Sequence, residues 1–311
     1  MSLEPRPTRF RYVVLTMLIL MYAVSYIDRV CIAAVAPGIR AEFGLSPSQL
    51  GVVFTSFSVA YALFQIPGGR LADQFGPRRV LAGMASFWGA CTLLTAGAWN
   101  QSSLLVARFL CGAGESGGFP TASRSIFQWL APHERGFAQG ITHSGARLAG
   151  AITPPVAAWL MVQYGWRSAF IVFGLLTFVW VVAWYWLYRD NPGDHPRVNP
   201  QELARIRTGS EANYRTSTTT RSWSSLLRER DLLLLAATHF CYVYTFWIFI
   251  TWFPTYLVET RGVEVTTAGL LAGLPLLAGA VTNTLGGWIS DRIVDRRGLR
   301  IGRGVVAACS F

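Results

Sequence analysis

The sequence predicts an all-α membrane protein that crosses the bilayer many times. Of its 311 residues, 52% are apolar and only 14% are charged, whereas a soluble domain has about 25% charged residues. Apolar runs long enough to span a bilayer core, which needs about 20 residues per helix, recur along the chain, with charges collected between them. A soluble enzyme, a disordered chain and a disulfide-stapled secreted domain are therefore excluded.

We predict about eight complete spans and the start of a ninth. They cover Tyr12 to Ala36, Leu50 to Pro67, Val80 to Ala98, Ser103 to Ile126, Gly136 to Val162, Ala169 to Leu187, Leu232 to Leu257 and Ala268 to Ile289, and the ninth begins near Gly304. The first run is too long for the apolar part of a signal peptide and carries Asp28 and Arg29, so it is predicted to remain as a span.

The distribution of arginine predicts the orientation. All 27 basic residues are Arg. The N-terminus and alternate connections hold 21 of them, the other connections hold three, and three lie within spans. Because basic residues accumulate in cytoplasmic loops, the N-terminus and the segment from Arg189 to Arg230 are predicted to be cytoplasmic. The positive charge does not indicate nucleic-acid binding, since no run combines clustered Arg with base-stacking aromatics.

The long polar segment divides the chain. We predict an N-terminal six-helix bundle over residues 1–188, a cytoplasmic linker over 189–230 and an incomplete C-terminal bundle over 231–311. The end of the linker, Trp223 to Arg230, has the pattern of an interfacial amphipathic helix.

A short sequence motif occurs in both predicted bundles. Gly69, Asp73, Arg78 and Arg79 recur as Gly287, Asp291, Arg296 and Arg297 at an offset of 218, and Gly76 lies within the first copy. We interpret each copy as a short cytoplasmic loop with a tight helix end at Gly69 or Gly287. Its Asp and Arg pair would bridge neighbouring helices or cap a helix end. The alternative is an ordinary positive-inside loop.

These motifs resemble the major facilitator superfamily. The pattern G-x-L-x-D-x-x-G-x-R-R between spans two and three is similar to that family's signature loop. Other motifs more specifically resemble the anion:cation symporter branch, which includes sugar-acid permeases and sialin-like transporters. These motifs are Tyr26-Ile-Asp28-Arg29, Arg108 with Gly112-Ala-Gly114-Glu115 and Phe119-Pro120, Ser144-Gly-Ala-Arg147 with Pro154-Pro155, and Trp252-Phe-Pro254. The resemblance implies two six-helix halves and twelve spans. With the offset of 218, span twelve would end near position 405, so we expect further spans encoded downstream of Phe311.

The resemblance also implies roles for three charged residues. The acids that match Asp28 and Glu115 are proton-coupling candidates in the family, and the arginine that matches Arg29 holds the anionic substrate. The implied transporter works without a cofactor other than the proton. It is an inner-membrane, multi-pass and monomeric protein in contact with the lipid bilayer.

The cost of buried charge supports a functional site in span one. A charge at the centre of a spanning helix costs about 2.5 to 3.5 kcal/mol, so Asp28 and Arg29 should face a watery cavity or opposite charges. Tyr22, Tyr26 and Arg29 share one helical face, which offers two hydroxyls and a guanidinium to a carboxylate. The alternative is a structural ion pair that holds span one to span four.

The cost of buried charge also predicts a functional site in span four. Arg108 and Glu115 are two turns apart, and nearby glycines allow close approach of a helix or a ligand. We predict that Glu115, with Arg108 and Asp28, takes part in proton coupling. The alternative is that Glu115 is permanently paired with Arg108 or Arg29 and only joins helices.

Further candidates lie in spans five and seven. Arg147 is predicted to face the cavity, whereas His143 is as compatible with an interface hydrogen bond as with a proton relay. Tyr244, Trp247 and Thr251 share a face and either line the cavity or pack against another helix. No phosphate-binding loop, metal-ligand motif or nucleophile motif occurs. The five cysteines lack metal-ligand spacing.

The sequence therefore predicts a secondary transporter that carries a small organic anion, such as a hexuronate or aldonate, by proton symport with alternating access. The alternatives are a uniporter or anion exchanger of the same fold, and a non-transporting membrane sensor or interaction protein. A membrane enzyme is a weaker alternative.

Overall fold

The computed structural model describes residues 7–131, 134–207 and 228–297, and within these ranges it contains ten α-helices and no strand. The helices are α1 (Phe10–Phe43), α2 (Pro47–Phe75), α3 (Pro77–Ala96), α4 (Gln101–Glu115), α5 (Gly118–Trp129), α6 (Arg135–Tyr164), α7 (Trp166–Leu187), α8 (Pro200–Arg207), α9 (Arg230–Glu259) and α10 (Val265–Arg297).

The eight predicted spans correspond to α1, α2, α3, α4 with α5, α6, α7, α9 and α10. In the part of the chain that the structure describes, six helices meet the length and hydropathy of a membrane span, namely α1, α2, α3, α7, α9 and the 265–282 portion of α10. Helices α4 and α5 are individually short, and α6 is rich in Gly, Ala and Pro. The predicted ninth span and most of the amphipathic stretch from Trp223 lie outside the described residues.

Local sequence signals set several helix ends. Helix α2 begins with a capping box, in which Ser46 Oγ accepts from the Gln49 amide at 3.2 Å and Gln49 Oε1 accepts from the Ser46 amide at 2.8 Å. Gly76 separates α2 from α3 with φ +79°, a value that favours glycine. Pro77 then starts α3 at a position where no amide proton is needed.

The fourth span is broken, which corrects the prediction of one continuous helix from Ser103 to Ile126. Helix α4 ends at Glu115 and α5 starts at Gly118. Glycine weakens a helix interior by about 1 kcal/mol relative to alanine, and glycines cluster here. Gly117 also lies against Gly68 of α2, so close that a Cβ on Gly68 would be 2.7 Å from the Gly117 Cα. The glycines thus allow the close approach that the sequence predicted.

The repeated signature segments are helical, so the prediction of a loop with a helix end at Gly69 is wrong. Helix α2 continues through Gly69 and Asp73 and ends at Gly76. It stops there because Gly76 adopts a positive φ and Pro77 cannot continue the hydrogen-bond ladder.

Asp73 forms an ion pair with Arg124 of α5, in agreement with the expected bridge between helices. Arg78 donates to the Tyr185 carbonyl at 2.7 Å, and Arg79 is exposed.

The second copy also lies inside a helix. Helix α10 runs through Gly287 and Asp291 to Arg297, so the prediction of a helix end at Gly287 is wrong as well. Arg296 is exposed. The segment lacks a Gly-Pro pair equivalent to the one that ends α2, and its backbone remains helical.

The helices pack into a bundle in which α1 contacts α6, α6 contacts α10, α3 contacts α7 and α2 contacts α4. Two buried apolar clusters lie at opposite ends. One contains Phe10, Trp88, Trp129, Trp184 and Tyr188, and the other contains Ile39, Leu45, Leu104, Trp166 and Phe170. The polar groups of the central cavity lie between these clusters.

The arginine-rich connections meet at one end of the bundle, where α8 is docked on the start of α1. The carboxylate of Glu202, which is fully buried, accepts the amides of Phe10 at 3.1 Å and Arg11 at 3.0 Å and pairs with the Arg11 guanidinium at 3.3 Å. It therefore caps α1 from 192 positions away along the chain. His195 stacks on Phe10 with ring centroids 3.9 Å apart.

Glu134 completes this cluster from the connection between α5 and α6. It pairs with Arg11 at 3.1 Å and accepts from the Tyr12 hydroxyl at 3.1 Å. Burial raises the pKa of Glu134, but these hydrogen bonds outweigh it and hold the pKa below its ordinary value. The ends of α1, α6 and α8 are thus joined by ion pairs.

We expect a reporter fused within 208–220, outside the described residues, to lie in the cytoplasm, as should one at the N-terminus. The reason is the excess of arginine at this end of the bundle. Paired alkaline phosphatase and fluorescent-protein fusions measure the side. An active phosphatase at 208–220 would contradict the span count.

Replacing Glu202 with alanine should destabilise the protein by roughly 3–5 kcal/mol, since it leaves the buried Arg11 without one of its two carboxylate partners. Thermal unfolding of detergent-solubilised protein measures the loss. Arg205→Ala on the exposed side of α8 is the matched control. Equal melting temperatures for Glu202→Ala and the control would refute the capping role.

Candidate functional site

A cavity of about 1150 Å³ lies in the middle of the bundle between α1, α2, α4, α6 and α9. Its lining includes six of the predicted site residues, namely Tyr26, Arg29, Arg108, Arg147, Tyr244 and Trp247. Tyr22, Asp28 and Glu115 do not line it, and each is about 1% exposed. The structure thus places the three predicted arginines at the cavity and the two predicted acids behind its wall.

Arg29 is surrounded by aromatic rings at the cavity wall. Its guanidinium carbon is 4.4 Å from the ring centroid of Tyr61 and 4.9 Å from that of Phe119, within the range of cation–π attraction. Its Nε donates to Glu115 Oε1 at 2.5 Å, which forms an ion pair between α1 and α4. Its Nη2 has no hydrogen-bond partner in the described part of the chain. Arg29 therefore combines a helix-joining contact with an unsatisfied donor.

Glu115 is held by α1. Oε1 accepts from Arg29 and from the hydroxyl of Ser25, whereas Oε2 is buried without a hydrogen-bond partner among the described residues. The glycines around it let backbones approach: a Cβ on Gly112 would be 2.3 Å from the Phe57 carbonyl oxygen. Of the two alternative partners of Glu115, Arg108 and Arg29, it is Arg29 that forms the ion pair.

Asp28 lies on the side of α1 that faces away from the cavity, in contact with α7. Thr177 Oγ1 is 3.5 Å from its Oδ2, and Oδ1 has no hydrogen-bond partner within the described ranges. Asp28 and Arg29 thus point to different environments although they are adjacent in sequence, because a helix turns 100° per residue.

Arg108 and Arg147 are cavity cations that belong to none of the ion pairs formed by the described residues. Arg108 is 2% exposed and its guanidinium carbon lies 4.9 Å from the ring centroid of Phe57. Arg147 donates to the Gly279 carbonyl at 3.0 Å and to the Tyr242 hydroxyl at 2.5 Å. Three guanidinium groups therefore surround the cavity, and one of them contacts a carboxylate.

Tyr22 lies behind the cavity wall, in contact with Phe119 and His143. Tyr22 stacks on Phe119 with ring centroids 4.4 Å apart and meets the edge of His143 at 5.1 Å. The tyrosine is buried, so the prediction that its hydroxyl faces the cavity is wrong in this conformation. The physical reason is that Phe119, which follows the break in span four, covers it. His143 itself lines the cavity.

The end of the cavity away from the arginine-rich connections is closed. Arg40 of α1 pairs with Glu259 of α9, and the rings of Phe54 and Trp252 meet with centroids 5.7 Å apart. At the other end the lining extends to Gln139 and His239, near the arginine-rich ends of α6 and α9. The cavity therefore opens towards the arginine-rich end.

Several residues that contact the predicted charges were not singled out as site residues from the sequence. Ser25, Tyr61, Phe119 and Tyr242 contact the predicted charges directly. Ser25 shares the helical face of Arg29, four residues earlier, and could have been found by that spacing. Tyr61 and Tyr242 lie on other helices, so only the packing of the bundle brings them to the arginines.

The fold and the charged cavity define a polytopic transporter, and the chain belongs to the Major Facilitator Superfamily, whose family model matches residues 18–311. This confirms the resemblance and the fold class. It is 46% identical over 297 residues to the probable sulfoacetate transporter SauU of Cupriavidus necator, covering 95% of this chain and 69% of that protein. It is 33% identical over 307 residues to the D-galactonate transporter of Escherichia coli, covering 96% of this chain and 70% of the relative.

A solved structure shares the fold. A bacterial homologue of the human lysosomal transporter Spinster, in an inward-facing and unoccupied conformation, aligns with a TM-score of 0.71 at 23% identity. The alignment covers 94% of this chain and 64% of that protein. The family and the names of the relatives place the chain among transporters and not among enzymes.

Proposed function

We propose that the central cavity binds a small organic anion and that the protein carries it across the plasma membrane together with protons. The observation that carries the proposal is the excess of positive charge around the cavity. Arg29, Arg108 and Arg147 line it, and Glu115 is the one carboxylate that pairs with any of them among the described residues. In a medium of low dielectric constant, such an excess favours an anionic ligand.

The shape and lining of the cavity suit a small, polar anion. Guanidinium groups bind carboxylates and sulfonates through parallel hydrogen bonds, and Tyr26, Gln65, Gln139 and Thr251 supply polar groups for hydroxyls or a second anionic group. A sugar acid such as a hexuronate or aldonate meets these demands. The names of the relatives support this class, since one is a D-galactonate transporter.

A small sulfonate is the second candidate substrate. The observation that favours it is the 46% identity to a probable sulfoacetate transporter. Sulfoacetate carries two anionic groups on a short carbon chain, so it needs two cationic contacts close together. Arg29 and Arg108 are the candidates for these contacts, because both line the cavity and their guanidinium carbons lie 5.8 and 4.9 Å from the Phe57 ring centroid.

We assign proton coupling to Glu115 and Asp28, the two acids that lie behind the wall of the central cavity. Glu115 contacts Arg29 directly, so a substrate anion that draws Arg29 into the cavity would leave Glu115 without its cation and favour its protonation. Asp28, which is buried against α7 with an unpartnered Oδ1 among the described residues, is the second candidate. A uniporter or an exchanger of the same fold would lack this link between substrate and proton.

Uptake into proteoliposomes tests the proposal. The protein should accumulate galactonate or sulfoacetate when the outside is acidic, and a proton ionophore should abolish the accumulation. Neutral galactose should not compete. Competition by galactose as strong as that by galactonate would overturn the anion assignment, and uptake that is indifferent to the ionophore would favour the uniporter.

A further inference from the structure

We propose that the arginine-rich end carries a second anion site, separate from the central cavity, which binds a phosphate group. A cavity of about 580 Å³ lies there between the end of α5, the start of α6, the turn after α7 and the helix α8. Arg124, Arg135 and Arg207 line it, together with one acidic residue, Asp190. None of these residues belongs to the proposed transport site.

The wall formed by α8 is held in place by buried contacts. Glu202 fixes α8 to the start of α1 through two backbone amides and the Arg11 guanidinium. Ile206, one turn later, is 4% exposed and packs into the core at this end. Because the helix is anchored on both turns, Arg207 at its end stays at the edge of the cavity. The cavity is therefore part of the folded structure.

The arginines are oriented for a ligand that accepts several hydrogen bonds. Arg135 donates to the carbonyls of Leu130 at 3.2 Å and Phe127 at 3.0 Å, which fixes its guanidinium plane. Arg124 pairs with Asp73 through Nη1, while its Nε is buried without a hydrogen-bond partner among the residues described. Guanidinium groups fixed in this way match the oxygens of a phosphate.

The acidic residue of the lining does not neutralise this charge. Asp190 Oδ1 accepts the backbone amide of Arg78 at 2.9 Å, so part of its hydrogen-bonding capacity is already used outside the cavity. Asp73 pairs with Arg124 from outside the lining, so three cationic groups face two carboxylates in all, and the remaining net positive charge favours an anion. A phosphate fits better than a carboxylate because it presents three or four oxygens to guanidinium groups that approach from different elements.

The phosphate could belong to a lipid headgroup or to a soluble anion, and the chemistry at the arginines is the same. Phe127, which lines the cavity, is 56% exposed. Aromatic side chains concentrate at the depth of the lipid headgroups, and basic residues on the cytoplasmic side attract anionic lipids. The experiment below separates the two sources.

The test uses the full chain, purified, with two probes: inorganic phosphate by calorimetric titration, and phosphatidylglycerol by native mass spectrometry, with phosphatidylcholine as the neutral lipid. Arg135→Gln and Arg207→Gln should each weaken binding of the phosphate-bearing probe about tenfold, the loss expected for one charge-assisted hydrogen bond. Arg205→Gln is the matched control, because it removes the same charge from the exposed side of α8.

The outcomes are distinct. Binding of phosphatidylglycerol alone assigns the site to a lipid headgroup, and binding of inorganic phosphate alone assigns it to a soluble anion. Binding of both supports the phosphate chemistry. The proposal is overturned if neither probe binds, if Arg207→Gln binds as the wild type does, or if Arg205→Gln weakens binding equally. Arg207 is exposed, so its variant remains informative if Arg135→Gln fails to fold.

Discussion

Glu115→Gln should abolish accumulation of substrate against its gradient while leaving counterflow exchange measurable. Glutamine mimics the protonated acid and cannot release a proton, so net symport stops, whereas exchange needs no net proton movement. The buried Glu115 Oε2, which has no hydrogen-bond partner in the part of the chain that the structure describes, can take the proton without breaking an existing contact. Uptake and counterflow are measured in the same proteoliposomes, with and without a pH gradient.

Glu42→Gln provides the matched control, since this glutamate lies at the closed end and pairs with Arg167 far from the cavity. It should accumulate substrate normally. If Glu115→Gln still concentrates substrate, the coupling role passes to Asp28 or is lost. If counterflow disappears as well, Glu115 serves only to join α1 and α4 through Arg29, and proton symport loses its main support.

Arg29→Lys should weaken substrate binding about 10- to 100-fold, the loss expected when one or two charge-assisted hydrogen bonds are removed. Lysine keeps the charge but not the planar fork. It also cannot place one nitrogen on Glu115 and another in the cavity, as the guanidinium of Arg29 does. Equilibrium binding to the purified protein measures the effect.

Arg167→Lys is the control for the exchange of arginine for lysine at a position remote from the cavity, where it pairs with Glu42. It should bind substrate as the wild type does. If Arg29→Lys binds substrate with unchanged affinity and both variants fold normally, Arg29 serves as a structural ion pair and not as a substrate contact.

The sequence predicted the spans well because hydropathy is a local and strong signal. Helices occupy the positions of all eight complete spans, although the fourth is broken after Glu115, and the three cavity arginines were identified from the cost of placing a charge in a membrane. The helix ends were harder to predict. Gly69 and Gly287 were expected to end helices, but glycine alone weakens a helix by only about 1 kcal/mol, and α2 ends where Gly76 and Pro77 act together.

Contacts between distant parts of the chain could not be predicted from spacing. Glu202 caps α1 from helix α8, in the segment that follows the N-terminal bundle, and no local pattern marks it. Likewise, the sequence left open whether Glu115 pairs with Arg108 or with Arg29, and only the packing of α1 against α4 selects Arg29. Such pairs depend on how helices are rotated and packed, which one sequence does not specify.

The most direct test of the central claim is the binding of galactonate and sulfoacetate to the purified chain, measured by calorimetry for the wild type and for Arg147→Gln. Arg147 is a cavity cation outside the ion pairs of the described residues, so its loss removes a ligand contact without leaving a carboxylate unpaired. Arg261→Gln, exposed beyond the closed end, is the control. The account predicts saturable binding of at least one anion, weakened about tenfold or more in Arg147→Gln and unchanged in Arg261→Gln. Equal affinity in all three proteins would contradict it.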